Sequence, residues 1–395
     1  MNDAVVLPSH EDNKELRQAV RKLCAKFPLE YWDECDAEEK FPEEFFKAFG
    51  EAGFFGILIP EEYGGGGGTL TQMAAVLEEV AAGGGAQNAA SSVHIPIICL
   101  PTLLAFGTKK QRKELLPRLA EGDLFVTFGV TEPDAGTDTT KIRTTATPRD
   151  GGGYVINGSK VWNTGALRGD KVMALVRTST PGEGQRRGEG LTLFLTDLDS
   201  PTITIRPIPK IGRNAVASCE VFFNDHPVND EDVVGEVGQG FYHILHSLNG
   251  ERLIGSAEFL GIGRWALEAA SKYARERVVF GHQIGKHQSV QHPLAAAYLQ
   301  LLAASEVLQC GLRTHAAEGA AAVGTLANAT KYLASEASYA CTDAAMQVFG
   351  GYSFAREYHI GRHFIESRLG RIAPINNQMV LNSISEAALS LPRSY

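Results

Sequence analysis

The hydrophobic repeat of this chain changes twice, from a spacing of about 3.6 residues to one of two and back again. The two spacings are incompatible, because one gathers apolar side chains onto a helical stripe while the other sends alternate side chains to opposite faces of a strand. An order of helices, sheet, helices is therefore written into the chain. Up to residue 120, ELRQAVRKLCAKF, PEEFFKAFGEAGFFG and LTQMAAVLEEVAAGG carry helical spacing broken by Gly and Pro. Residues 121–235 hold β-forming runs, LFVTFGV, YVING, KVMALVR, LTLFLTDL and EVFFND, which read as an antiparallel β domain. Helical spacing returns over 236–395, through GFYHILHSLNGERLIGSAEFL and through ATKYLASEASYACTDAAMQVFG, which stops at Gly350 and Gly351. The fold class expected is α+β, mostly α.

At 395 residues the chain has room for about two or three domains of ordinary size. Its net charge of −9 argues against a nucleic-acid binder, whose affinity comes from clustered Lys and Arg. No run is read as reaching the roughly 18 apolar residues that cross a bilayer, and the start MNDAVVLPSHEDNKEL is too polar and acidic for a secretion signal. A cytoplasmic protein without membrane insertion is expected. Cys24, Cys35, Cys99, Cys219, Cys310 and Cys341 lack metal-ligand or CxxC spacing, so most read as reduced core thiols and no metal site is expected. Gly64–Gly68 is followed by no GK[ST] and reads as an interhelical loop, while STPGEGQRRGEG from Ser179 reads as a mobile surface hairpin connection.

At the head of the β region, FGVTEPDAGTD ends a strand in a Pro and Gly turn. Such a turn frees backbone N–H groups and the Thr131 hydroxyl for a flat, acceptor-rich ring, although an ordinary turn capped by Thr has the same composition. Further on, INGSKVWNT places Trp162 and Thr164 two residues apart on a strand, so that an indole and a hydroxyl share one face. A core Trp beside a Thr would look the same. RERVVFGHQIGKHQ offers Arg277, whose guanidinium suits a pyrophosphate, with Phe280, His287 and Gln288, or else an exposed basic face. Ile244, Leu248 and Glu251 share one helical stripe, which turns the Glu251 carboxylate inward, and Gly255 leaves room beside it. Burial raises a carboxylate's pKa towards the range useful for taking a carbon-bound proton. Glu258, about 10.5 Å further along the same face, is a second candidate, and a surface pair of Glu251 with Arg252 is the plain alternative.

In order and spacing, TEPDAGTD, INGSKVWNT, ERVVFGHQIGKHQ and QVFGG resemble the acyl-CoA dehydrogenase family over nearly the whole chain. The resemblance implies an N-terminal helical domain, a middle antiparallel β-barrel-like domain and a C-terminal four-helix bundle. It also implies FAD as cofactor. Phe128, Val130, Thr131, Trp162, Asn163 and Thr164 would lie against the flavin ring, although Asn163 stands where the family usually has Ile. Arg277, Phe280, His287, Gln288, Gln347, Gly350, Gly351, Asn376 and Gln378 would complete the FAD sites, several of them in a neighbouring subunit. That sharing implies a homo-oligomer, a tetramer built as a dimer of dimers, with an electron-transfer flavoprotein as the acceptor of electrons.

The family keeps its catalytic base at one of two places. The near-terminal loop that carries it in most members reads APINNQ here, Ala373–Gln378, with Pro374 in the glutamate's position. The other place, [DN]xER on a helix, is occupied by Asn249, Gly250, Glu251 and Arg252. The resemblance is thus to the subgroup that includes isovaleryl-CoA dehydrogenase, with Glu251 as base and Thr137, Asn249 and Arg252 holding the thioester. The implied reaction is α,β-dehydrogenation of an acyl-CoA to the trans-2-enoyl-CoA. Proline lacks the backbone N–H that the family aims at the thioester carbonyl, so Ala373 or Ile375 must supply it. Two other functions stay open: a flavin-dependent oxidase or monooxygenase on the same scaffold, and a non-catalytic flavin- or CoA-binding partner.

Overall fold

The computed structural model describes all residues except 1–4, 6, 9–11, 183, 185 and 395. Part of the polar start and two positions of the expected hairpin connection after Ser179 therefore lie outside the described residues. Helices α1 (Lys14–Cys24), α2 (Leu29–Ala37), α3 (Glu43–Glu51), α4 (Leu70–Val80), α5 (Ala86–Ile98), α6 (Leu100–Phe106) and α7 (Lys109–Glu121) come first. Reciprocal caps start two of them: Thr69 with Gln72 opens α4, and Thr108 with Gln111 opens α7. A π-helical turn at Ala81–Gly85, with Gly84 at φ 96°, redirects the chain between α4 and α5. At Gly85 a Cβ would lie 2.6 Å from a Trp32 ring carbon, so only glycine lets the kink close on α2.

The sheet runs in the order β6 (Ile203–Pro207), β7 (Ser218–Val228), β3 (Tyr154–Thr164), β2 (Thr145–Pro148), β4 (Lys171–Arg177), β5 (Leu191–Asp197), β8 (Val233–Val234), with β1 (Val126–Gly129) on β4. It is mixed instead of wholly antiparallel, because β1 and β2 both lie parallel to β4. Those two strands are joined by the TEPDAGTD loop, not by a hairpin, so the loop lets the chain re-enter the sheet in the same direction. Strands β4 and β5 are buried almost end to end. Helices cover what solvent would otherwise reach.

Helix α8 (Gly240–Glu276) then crosses the middle of the molecule, followed by the short β9 (Val278–Val279) and β10 (His282–Gln283), α9 (Gln288–Glu318), α10 (Gly324–Phe349), α11 (Ile360–Leu369) and α12 (Asn377–Leu389). Arg17 from α1 and Arg264 from α8 close on Glu79 of α4 at 2.8 and 2.6 Å, which pins the first helices to the last domain. Burial pushes Glu79 up, but Arg264, Arg21 and Arg17 outweigh it and hold the carboxyl well below the usual range. The sequence expectation about membrane length needs correcting. Two helical stretches, Leu70–Phe106 and Gln288–Glu318, are long and apolar enough by composition to cross a bilayer. In the first, 67% of the apolar window is buried inside the protein, where α4 and α5 pack against α8. All six cysteines are free, and Cys310 alone among them is exposed.

Candidate active site

The Thr131–Asp138 loop is anchored by a buried ion pair. Lys160, fully buried on β3, donates to Glu132 Oε1 at 2.7 Å, Leu175 O at 2.6 Å and Val130 O at 3.2 Å. The Glu132 carboxylate also accepts from the backbone N–H of Arg143 (2.7 Å) and Thr144 (3.0 Å). Burial pulls Lys160 down to about 8 against the attraction of Glu132. Burial pushes Glu132 up, yet Lys160 outweighs it and keeps the carboxylate ionised. Sequence reasoning did not single out this pair, although a lysine in the middle of the strand INGSKVWNT was a signal.

Beyond Lys160 the pairing of β3 with β7 slips in register before Asn163. Trp162 sits at φ 60° there, with 55% of its surface exposed. The bulge, and not strand alternation alone, aims the indole outward. Thr164 is half-buried, and its Oγ1 accepts from Arg213 Nη2 at 3.2 Å. Asn163 points the other way, since a Cβ on Gly129 would stand 3.3 Å from its Nδ2. Its side chain is buried, away from the exposed Trp162 indole. Phe128, Val130 and Thr131 are half-buried where β1 ends, the first two packed on the core. An indole plane flanked by hydroxyls and turn amides suits a flat ring edged with acceptors.

Glu251 is buried on α8, and its Oε2 has no hydrogen-bond partner among the described residues. Burial raises its pKa, opposed by the charges of His94, Arg252 and Lys331 and assisted by Glu258. A Cβ on Gly255 would meet Glu251 Oε1 at 3.5 Å and His94 Cε1 at 3.6 Å. Glu258 is not a second free carboxylate. Its Oε1 lies 2.5 Å from His94 Nδ1 and its Oε2 accepts from Gln87 Nε2 at 2.9 Å. Asn249 and Arg252 are tied to one another (3.0 Å), with Asn249 donating to Ala320 O (2.8 Å) and Arg252 to Asn328.

The near-terminal loop approaches the TEPDAGTD turn, where Asn376 Nδ2 donates to Thr137 Oγ1 at 3.4 Å. Gln378 is exposed. Ala373 N–H donates to Leu369 O at 2.9 Å, so Ile375 holds the amide without a partner among the described residues. Behind the loop, buried Lys331 donates to Asn377 Oδ1 at 2.6 Å, and burial lowers it to about 8. The remaining expected residues lie apart. Arg277 and Gly351 line a concavity of about 510 Å³ with Tyr273, Ile284, Phe349 and Tyr352. Phe280 is 93% exposed at φ 51°, and His287, Gln288, Gln347 and Gly350 are exposed as well.

Helices, sheet and helices follow one another, with Trp162 exposed on β3 and the Glu251 carboxylate buried on α8. Family models for the acyl-CoA dehydrogenase N-terminal, middle and C-terminal domains match residues 10–123, 127–226 and 238–389. The chain belongs to the acyl-CoA dehydrogenase family and is an FAD-dependent oxidoreductase of that kind. It is similar to the acyl-CoA dehydrogenase fadE12 of Mycobacterium bovis, with 36% identity over 100% of both chains. It is also similar to the glutaryl-CoA dehydrogenase of Desulfococcus multivorans, with 33% identity over 88% of this chain and 89% of that one. Among solved structures, butyryl-CoA dehydrogenase from Megasphaera elsdenii superposes with a TM-score of 0.88 at 29% identity, covering 95% of this chain and 98% of that one.

Proposed function

We propose that the protein dehydrogenates an acyl-CoA between its α and β carbons, with Glu251 as the general base and the trans-2-enoyl-CoA as product. The observation that supports this most is the unpartnered Glu251 Oε2, buried beside Gly255, in a chain whose near-terminal loop carries Pro374 in place of a carboxylate. FAD, when bound, supplies the hydride acceptor. Thr131, Trp162 and Thr164 hold its ring, with Phe128, Val130 and Asn163 completing that part of the FAD site. Arg277, Phe280, His287, Gln288, Gln347, Gly350 and Gly351, with Asn376 and Gln378, complete the FAD sites across the subunit interfaces of a homotetramer. The exposure of Phe280 on a single chain supports that reading.

Thr137, Asn249 and Arg252 help hold the thioester and its pantetheine chain. The unpartnered Ile375 N–H takes the place of the donor missing at Pro374 and polarises the thioester carbonyl as enolate character develops. Electrons leave to an electron-transfer flavoprotein, and the enzyme works in the cytoplasm. The units fall at 1–120, 121–235 and 236–395, with a barrel-like middle domain and a four-helix bundle at the end. Anaerobic mixing of the yellow protein with acyl-CoAs of graded length and branching tests the reading. Flavin bleaching with at least one of them is expected, and no bleaching with any would refute it.

A further inference from the structure

A buried polar chain runs from Thr164 to the surroundings of Glu251. Arg213 donates to Thr164 Oγ1 at 3.2 Å and to Ser91 Oγ at 3.4 Å, and Ser91 Oγ donates to Gln87 Oε1 at 3.0 Å. Gln87 Nε2 donates to Glu258 Oε2 at 2.9 Å, and Glu258 Oε1 meets His94 Nδ1 at 2.5 Å. There the chain stops. His94 Nε2 and Glu251 Oε2 are buried without hydrogen-bond partners among the described residues, and both side chains flank Gly255. Because Nδ1 is committed to the Glu258 carboxylate, the ring presents Nε2 to the side on which the base stands.

We propose that His94, held by Glu258, is a positioning residue for the base: as an imidazolium it keeps the buried Glu251 ionised. The inference rests on Glu251 being the base. A buried carboxylate is driven towards its neutral form, which cannot take a proton, and a nearby cation reverses that. The groups facing Glu251 are His94 from α5, Arg252 and Glu258 from α8 and Lys331 from α10. Arg252 is engaged with Asn249 and Asn328, and Lys331 with Asn377. His94 faces only Glu258 and Glu251 among the charged groups around it, and Glu258 in turn feels Arg213 from the loop before β7. Burial disfavours the imidazolium, but Glu258 outweighs it and raises the His94 pKa.

The test is exchange of the α-protons of acetyl-CoA into D₂O by the holoenzyme across pH, read by mass spectrometry. Acetyl-CoA has an α-carbon but no β-carbon, so exchange reports the base without flavin reduction. His94→Gln is expected to move the acid limb of exchange upward by on the order of one pH unit, and His94→Arg, which keeps the charge, to bring it back. Glu258→Gln moves the limb the same way by less, because the repulsion of Glu251 by Glu258 disappears as well. If His94→Gln yields no flavoprotein, Glu258→Gln decides alone. Wild-type acid limbs in the folded variants overturn the inference while leaving the base in place. A wild type that exchanges no faster than Glu251→Gln removes the base, and this inference with it.

Discussion

The molecule holds two buried clusters of charge, and they differ in how completely their carboxylates are satisfied. In the first, Glu79 Oε1 accepts from Arg17, Arg21 and Arg264 at 2.8, 2.8 and 3.1 Å, and Oε2 from Arg21 and Arg264 at 2.8 and 2.6 Å. In the second, Glu258 is saturated by His94 and Gln87, while Glu251 Oε2 and His94 Nε2 have no partner among the described residues. The first cluster leaves the carboxylate nothing further to do except join three helices. The second keeps a buried acceptor in reserve on α8. A saturated carboxylate serves architecture, whereas a buried carboxylate oxygen left without a donor costs stability and stays available to a ligand or a reaction.

If that contrast is sound, the largest stability loss comes from the saturated cluster. Glu79→Ala leaves buried Arg17 and Arg264 with Glu78 in place of two carboxylates and should cost about 3–5 kcal/mol, read by denaturant unfolding of the holoenzyme. Lys160→Met should cost somewhat less, about 3 kcal/mol, because Glu132 keeps its two backbone N–H donors. Loosening the TEPDAGTD turn should also weaken FAD retention, which absorbance after gel filtration reports. A stable, fully yellow Lys160→Met protein would show that the pair is not what anchors the turn.

Acid sharpens the comparison from another side. The Glu79 pKa is depressed in the folded protein, so its contribution to stability is present above the unfolded carboxylate value of about 4.3 and is lost as pH falls below it. The Glu251 pKa is raised, so that group opposes folding when ionised and ceases to do so on protonation. Unfolding free energy measured through the acid range should therefore fall less steeply with decreasing pH in Glu79→Gln than in the wild type, and Glu251→Gln should be slightly stabilising near neutral pH. The smallest expected effect is at the surface. Phe280→Ser, at an exposed position, should change the stability of one chain by less than about 0.5 kcal/mol, yet lower FAD retention and oligomer mass in light scattering.

Much of this was legible in the sequence because its signals are local. The two changes of period mark the helices and strands, and TEPDAGTD, INGSKVWNT and the Glu251 stripe mark the elements on which the proposed site stands. What escaped is long-range or geometric. His94 and Glu258 are separated by 164 residues, and nothing near either one signals that an imidazole will meet that carboxylate. Arg213 reaches Thr164 only because its loop turns at φ 57°. The bulge at Trp162, which turns Asn163 and Trp162 to opposite sides, is a matter of strand register that no residue type announces. The parallel placement of β1 and β2 on β4 escaped because alternation identifies a strand but not its partner. The apolar stretch Leu70–Phe106 shows the same limit, since composition does not distinguish a protein interior from a lipid one.

The central claim is that the proton-accepting carboxylate stands on α8 at Glu251. Stopped-flow mixing of Glu251→Gln holoenzyme with an acyl-CoA that bleaches the wild-type flavin tests it most directly. The expected result is a flavin band that shifts on binding but stays oxidised, with reduction slowed by about 10² to 10⁴ or more. Bleaching at the wild-type rate would place the base elsewhere and contradict the claim.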